Sequence, residues 1–235
     1  RHRSSHEGAR PLRHPHKVNG AIASGWAARV HAEYRSAALV QQLGHEWLVA
    51  GASPDLVRDA HQVVQDELVH ADDAAQVLRA AGGPLEPMVE ADLCLPWTTL
   101  GHRHRALVGG LELLALNESL AVPLFARMRQ RTTQPDATAA LQRICSDEPR
   151  HAALGWTFLA WAIEAWPDAH AFLKEWTPPA IARQEAAYAS LPEDRWPVDD
   201  PRFAWGLLDG AGYAQVVDEH HRGVLRRRLE ELELR

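Results

Sequence analysis

From about Ala21 onward, apolar residues recur at spacings of three and four, and Ala, Leu, Glu, Arg and Gln dominate. Alternating β-branched runs are absent, so the pattern predicts an all-α protein. A first helix is expected from about residue 21 to 50. It stops at Gly51-Ala52-Ser53-Pro54, where Ser53 is placed to cap a second helix that opens on proline. That helix should end near Gly82-Gly83-Pro84. Residues 83–100 hold Pro84, Pro87 and Pro96 and read as an extended crossover. A third helix follows over about 101–131, and a fourth runs from Gln134-Pro135-Asp136 to Trp166-Pro167. Beyond lie a helix over about 168–176, another opened by Thr177-Pro178-Pro179, a Pro- and Asp-rich loop over 191–201, and a terminal helix ending in Arg226 to Arg235. The organisation expected is a polar, basic N-terminal arm over 1–20, a helical bundle over 21–166, and a helical extension over 167–235 that packs on or caps the bundle.

Composition narrows the class. The chain has 235 residues, 46% of them hydrophobic, which suffices for one sizeable core or two modest ones. Lys plus Arg total 25 against 31 for Asp plus Glu, and the formal charge of −6 argues against nucleic acid or an anionic membrane as partner. No run of apolar residues reaches the length that spans a bilayer. Cys94 and Cys145 cannot form a disulfide framework or a four-thiolate site. With no secretory pattern in residues 1–20, a cytoplasmic location is expected. The 14 histidines are the one strong bias and direct attention to metal ligands. Those in the arm, His2, His6, His14 and His16, read as part of a solvated segment.

Two hairpins joined by a crossover suggest a duplication, and the motifs agree. The second helix of the first hairpin carries Asp66-Glu67-Leu68-Val69-His70, and that of the second carries Asp147-Glu148-Pro149-Arg150-His151. Both read Asp-Glu-x-x-His. A Glu and a His three residues apart share one side of a helix and can hold one ion between them. The 17 Glu and 14 His of the chain predict about one such pair by chance, and about 0.06 once a preceding Asp is required. Two, at matching places, are not accidental.

The faces around these motifs carry a physical argument. Glu148 shares its face with Leu141, Ile144, Cys145, Ala152 and Gly155, and Glu67 shares its own with Ala60, Val63, Val64, Ala71 and Ala74. Packed inward, such a face buries a carboxylate in hydrocarbon, at a cost of several kcal/mol unless something positive pairs with it. A metal would do so. Each hairpin's first helix should supply a further carboxylate at the same height. Glu118, among Leu111, Leu114, Ala115, Ala121, Val122 and Phe125, is preferred to Glu112. Glu33, near Trp26, Val30, Ala37 and Val40 though diluted by Arg29 and Ser36, is preferred to Glu46, which lies too near the turn. At about 1.5 Å per residue the four glutamates come level within about one turn.

Glu33, Glu67-x-x-His70, Glu118 and Glu148-x-x-His151 resemble the ligand set of the ferritin-like di-iron carboxylate superfamily, over about residues 22–166. The resemblance implies a four-helix bundle with a long crossover and two iron ions, with manganese or a mixed pair as alternatives. It implies that Glu33 and Glu118 are the first-helix carboxylates, that Glu67 and Glu148 bridge the ions, and that His70 and His151 each bind one. Asp66 and Asp147 match the positions that accept the far N–H of the histidine on the facing helix. Arg150 matches the arginine of an Asp-Glu-x-Arg-His variant. Pro149 departs from the pattern: it removes a backbone N–H and pushes on the carbonyl of Cys145, so a kink or π-bulge is expected in the fourth helix beside the metals.

The symmetric histidines resemble the oxidases and oxygenases more than the storage ferritins. The leading expectation is a non-haem di-iron oxidase or oxygenase with O₂ as co-substrate, a small organic substrate, an external electron donor, and a homodimer as one assembly. A ferroxidase or rubrerythrin-like peroxide-detoxifying protein is the alternative, although no Cys-x-x-Cys electron-transfer module is present. A non-catalytic metal-stabilised bundle is the third. Trp156, Trp161 and Trp166 are assigned to helix packing, the remaining histidines to surface or supporting roles, and the Arg226-Arg227-Arg228 run to pairing with Glu230, Glu231 and Glu233.

Overall fold

A computed structural model describes residues 15–234, and these are helical with no strand. The helices are α1 (Pro15–Ala50), α2 (Pro54–Ala80), α3 (His102–Gly109), α4 (Ser119–Gln130), α5 (Pro135–Ala165), α6 (Ala169–Ala189), α7 (Pro201–Ala204), α8 (Gly210–His220) and α9 (Arg226–Glu231). A π-helical segment, Gly110–Glu118, joins α3 to α4 in one rod, and a second, His221–Leu225, joins α8 to α9. α1 begins at Pro15, six residues before the expected start, and the rest of the anticipated arm, with His2, His6 and His14, lies outside the described residues.

The expected stops operate. Gly51 and Gly82 adopt φ +81° and +77°, a conformation that a Cβ would oppose. Pro54 opens α2 with Asp55 in its first turn and Arg79 in its last, both favourable to the helix dipole. Ser53 stands at the cap position but its hydroxyl makes no cap hydrogen bond. At α5 the cap is Gln134, whose side chain accepts from the Ala137 amide at 2.7 Å.

α1 packs along α2, the α3–α4 rod packs along α5, and α2 and α5 join the two pairs. The core has two apolar layers. One gathers Leu43, Trp47, Val63, Leu111, Leu114 and Phe158; the other gathers Trp26, Val30, Leu78, Leu120, Phe125 and Ile144. Each long helix contributes to both and crosses between them at a glutamate: Glu33, Glu67, Glu118 or Glu148. The rod from His102 to Gln130 is long and apolar enough to cross a membrane, but 67% of its apolar window is buried in the fold, as in a core helix. Beyond α5, α6 lies against α3 and the first π segment, α7 touches α1, and α8 packs on α4 and α6.

The structure corrects two expectations. The fourth helix, α5, runs as a regular helix through Pro149, and the π geometry lies in the opposite rod, over Gly110–Glu118. Pro149 is on the exposed side of α5, and Cys145, whose carbonyl it frees, is only partly buried. Pro178 and Pro179 sit likewise on the exposed side of a continuous α6, where a break between two helices was expected. The carbonyls they free belong to exposed Lys174 and Glu175, while the Thr177 hydroxyl donates to the Leu173 carbonyl at 2.7 Å.

The wide π segment is accommodated at Gly155. A Cβ there would lie 2.4 Å from the Ala115 amide nitrogen and 2.6 Å from the Leu114 carbonyl carbon, both backbone atoms. Helix propensity alone favours Gly→Ala by about 1 kcal/mol. Here overpacking reverses the sign, and Gly155→Ala should destabilise by about 2 kcal/mol or more in chemical denaturation. A neutral or stabilised variant would mean that the π segment is not held this tightly against α5.

Candidate metal centre

Six side chains converge between the two apolar layers. Glu33 comes from α1, Glu67 and His70 from α2, Glu118 from the last position of the π segment, and Glu148 and His151 from α5. All are buried, with exposures of 4%, 1%, 0%, 8%, 1% and 0%. Their ligand atoms fall into two overlapping groups, Glu33–Glu67–His70–Glu148 and Glu67–Glu118–Glu148–His151, each with its atoms within 4.8 Å of one another. Glu67 and Glu148 belong to both.

The histidines fix the directions. His70 Nε2 lies 3.2 Å from Asp147 Oδ2, and His151 Nε2 lies 3.1 Å from Asp66 Oδ2. An ionised carboxylate can only accept, so each ring donates from Nε2 and turns Nδ1 inward, where it faces the glutamates as a cation when protonated and as a lone pair when neutral. Each aspartate thus serves the histidine of the other hairpin. Arg150 ties the two together, donating to Asp66 at 2.6 Å and to Asp147 at 3.3 Å. Against its partial burial, Arg150, Gln62 and His151 hold the Asp66 carboxyl below the ordinary range.

The inward atoms lack partners. Both oxygens of Glu67, one of Glu148, and Nδ1 of His70 and of His151 are buried without a hydrogen bond. The nearest approaches are His151 Nδ1 to Glu67 at 3.2 Å and to Glu148 at 3.9 Å, and His70 Nδ1 to Glu67 at 3.8 Å and to Glu148 at 4.0 Å. Orphaned acceptors grouped in a dry core fit a cation, which satisfies several at once. Burial, followed by the neighbouring carboxylates, raises Glu148 well above its usual value. Burial also leads in Glu33, which is likewise raised well above despite Arg29. It pushes Glu118 up to about 7, with the Glu67 charge adding to it. Burial opposes ionisation of Glu67 as well, but the adjoining His151 and His70 rings hold that carboxyl down to about 2.

A cavity of about 360 Å³ reaches all four glutamates, with Leu39, Val40, Leu113, Ala121 and Phe125 among its walls. Tyr188 and Leu191, at and just beyond the end of α6, also line it. Neither of these two was identified in the sequence, because only tertiary packing brings them to the cluster, whereas Arg29, one turn before Glu33, shared its face and was legible.

The candidates set aside have other roles. Glu46 pairs with Arg105 at 3.0 Å and His102 at 2.6 Å. Glu112 accepts from Trp176 Nε1 at 2.7 Å and from Arg183. Trp161 and Trp166 pack edge to face at 5.2 Å in a cluster with Phe158 and Trp47. Arg226 and Arg228 pair with Glu230 and Glu231. Among the described residues, no further histidine joins the cluster.

The chain is therefore an all-helical protein with a buried Glu/His cluster that could hold a metal and is compatible with a di-iron site. Comparison with protein-family models, curated proteins and solved structures gave no match for it.

Proposed function

We propose that these six residues hold two iron ions within a ferritin-like four-helix bundle, and that the protein is a non-haem di-iron oxidase or oxygenase acting on a small organic molecule. The observation that carries this reading is the pair of overlapping carboxylate–histidine groups that share Glu67 and Glu148. Glu33 and His70 would complete one ion's ligands, Glu118 and His151 the other's, with Glu67 and Glu148 between them. Two ferrous ions so held would supply the capacity to reduce O₂ and oxidise a bound substrate, with electrons from an external donor. Manganese or a mixed pair is the alternative occupant.

The chain's own residues have defined tasks. Asp66 and Asp147 keep a proton of each imidazole on Nε2 and so leave Nδ1 to serve as the metal ligand. The apolar layers on either side bury the six ligands and hold the carboxylates together before any metal arrives. Ala187, Tyr188 and Leu191 wall the cavity on one side, and that wall favours oxidation of an organic molecule over ferroxidase or peroxide detoxification, which need no such chamber.

The test is anaerobic iron loading of wild type and Glu148→Ala, with elemental analysis and then optical and Mössbauer spectra after mixing with O₂. We expect two irons per wild-type chain that oxidise together, and at most one in the variant. None or one in a folded wild-type protein would overturn the di-iron reading.

A further inference from the structure

We propose that the substrate is an apolar monocarboxylate, and that Arg29 binds its carboxylate at the mouth of the metal cavity. This rests on the di-iron oxygenase reading and specifies its substrate class.

Arg29 lies one helical turn before Glu33 and is largely withdrawn from solvent, its side chain 24% exposed. Its five N–H donors are poorly used. The nearest carboxylate oxygen, on Glu33, is 3.4 Å away, and its other neighbours are Met128 Sδ at 3.9 Å and the face of Phe125 at 4.4 Å from the ring centroid. Other arginines of these walls are engaged more closely. Arg202 forks onto Asp200 at 2.9 and 3.1 Å, and Arg35 donates to the Asp92 carbonyl at 2.9 Å. Arg29 is thus a cation within the fold whose one direct carboxylate contact among the described residues is a 3.4 Å ion pair with Glu33, the Glu148 charge acting on it from further away, and both are groups that a metal would claim. Withdrawing a guanidinium from water costs several kcal/mol unless an anion accepts from it. Once Glu33 turned to a metal, that anion would have to come from elsewhere.

The surroundings select the rest of the ligand. Arg29 lines both the 360 Å³ metal cavity and an adjoining one of about 650 Å³ that runs outward past Trp26, Trp196 and Leu207. Ala32, Tyr188 and Leu191 also belong to both, so Arg29 marks the junction between them. Inward of it, the walls not formed by the glutamates are mainly apolar, from Leu39, Val40, Leu113, Ala121 and Phe125. A carboxylate forked on Arg29 would leave its apolar remainder among these residues, with the carbons next to it nearest Glu33. The four glutamates disfavour a polyanion, and Arg35 and Arg202, already engaged with Asp92 and Asp200, leave Arg29 as the guanidinium with donors to spare at this junction.

The test uses protein loaded anaerobically with ferrous iron, its metal content measured in the same samples, and calorimetric titration with octanoate, octanamide, 4-phenylbutyrate and 4-phenylbutanamide. Wild type should bind each acid about 10- to 100-fold more tightly than its amide, the range expected of a charge-assisted hydrogen-bond pair. Arg29→Gln should abolish that preference while changing amide binding less than about threefold, and Arg29→Lys should restore part of it. Circular dichroism and unchanged iron content establish that the variants are folded and loaded. A folded, loaded protein that binds acid and amide equally overturns the substrate class alone. So does an acid preference that survives Arg29→Gln, which would place the carboxylate on the metal. A wild-type protein that takes up no iron overturns both this inference and the reading beneath it.

Discussion

Raising the pH from 6.5 to 8 should destabilise the metal-free protein and stabilise the metal-loaded one. In the metal-free fold, burial and mutual repulsion hold Glu33 and Glu148 well above the usual carboxylate value and Glu118 at about 7. A carboxyl raised on folding keeps a proton that the unfolded chain has released. Stability therefore falls as pH rises from the unfolded value through the folded one. His151, raised by Glu67 and Glu118 despite its burial, acts in the same direction, since its contribution is lost as pH rises through its folded value. Glu67, held at about 2, is ionised in both states throughout this window and adds no slope. His220, lowered to about 4 by burial and by His221, adds stability as pH rises from about 4 to 6.5, and little remains to gain above that. The shift of Glu118 alone corresponds to a cost on the order of 3 kcal/mol once it is fully ionised.

Bound metal reverses the sign, because the ligands must then be ionised and protons compete with the ion. A thousandfold excess over Kd adds about 4 kcal/mol. Thermal melts at several pH values, with chelator and with ferrous iron under argon, would read both slopes. The apo Tm should drop by about 5 °C or more across the window, while the loaded Tm rises. An apo Tm that is flat or rising would mean the four carboxylates are not jointly buried as described.

Asp66→Asn and Asp147→Asn should each weaken one metal more than the other. Asp66 orients His151, and Asp147 orients His70, so each substitution acts on the half-site of the opposite hairpin. An asparagine preserves volume but removes the charge that polarises the ring and can present its amide in place of the accepting oxygen. Losses of this kind are typically 10- to 100-fold in metal affinity. Asp66→Asn should be the more damaging, since Asp66 also accepts from Arg150 at 2.6 Å and from Gln62 at 2.9 Å. Stepwise titration with cobalt(II) would resolve two affinities in wild type, with a different one falling in each variant. Equal losses at both steps, or losses under about twofold, would argue that the aspartates only hold Arg150.

Much of this centre can be read along a single helix, where spacing is geometry. Three residues separate Glu67 from His70 and Glu148 from His151, and the helix period alone places each pair on one buried face. The apolar neighbours of Glu118 distinguished it from Glu112, and distance from the turn distinguished Glu33 from Glu46; the structure sends Glu46 and Glu112 to other partners. The proline-marked stops at Pro54 and Pro135 likewise needed no tertiary information, because they act on the local backbone.

Relations between helices were settled only by packing. Whether a proline breaks a helix depends on which side its freed carbonyl faces, and Pro149, Pro178 and Pro179 all face outward. The π segment arises in the rod opposite Pro149, where Gly155 lets two backbones meet, a contact joining positions forty residues apart. Tyr188 reaches the cavity from a helix outside the four that carry the cluster, and no local pattern announces it. The sequence by itself determined the helices, their buried faces and the six candidate ligands, because each follows from local periodicity. The tertiary structure decided which aspartate serves which histidine, where the helix widens and what lines the cavity, because these depend on side chains that meet only after the helices have packed.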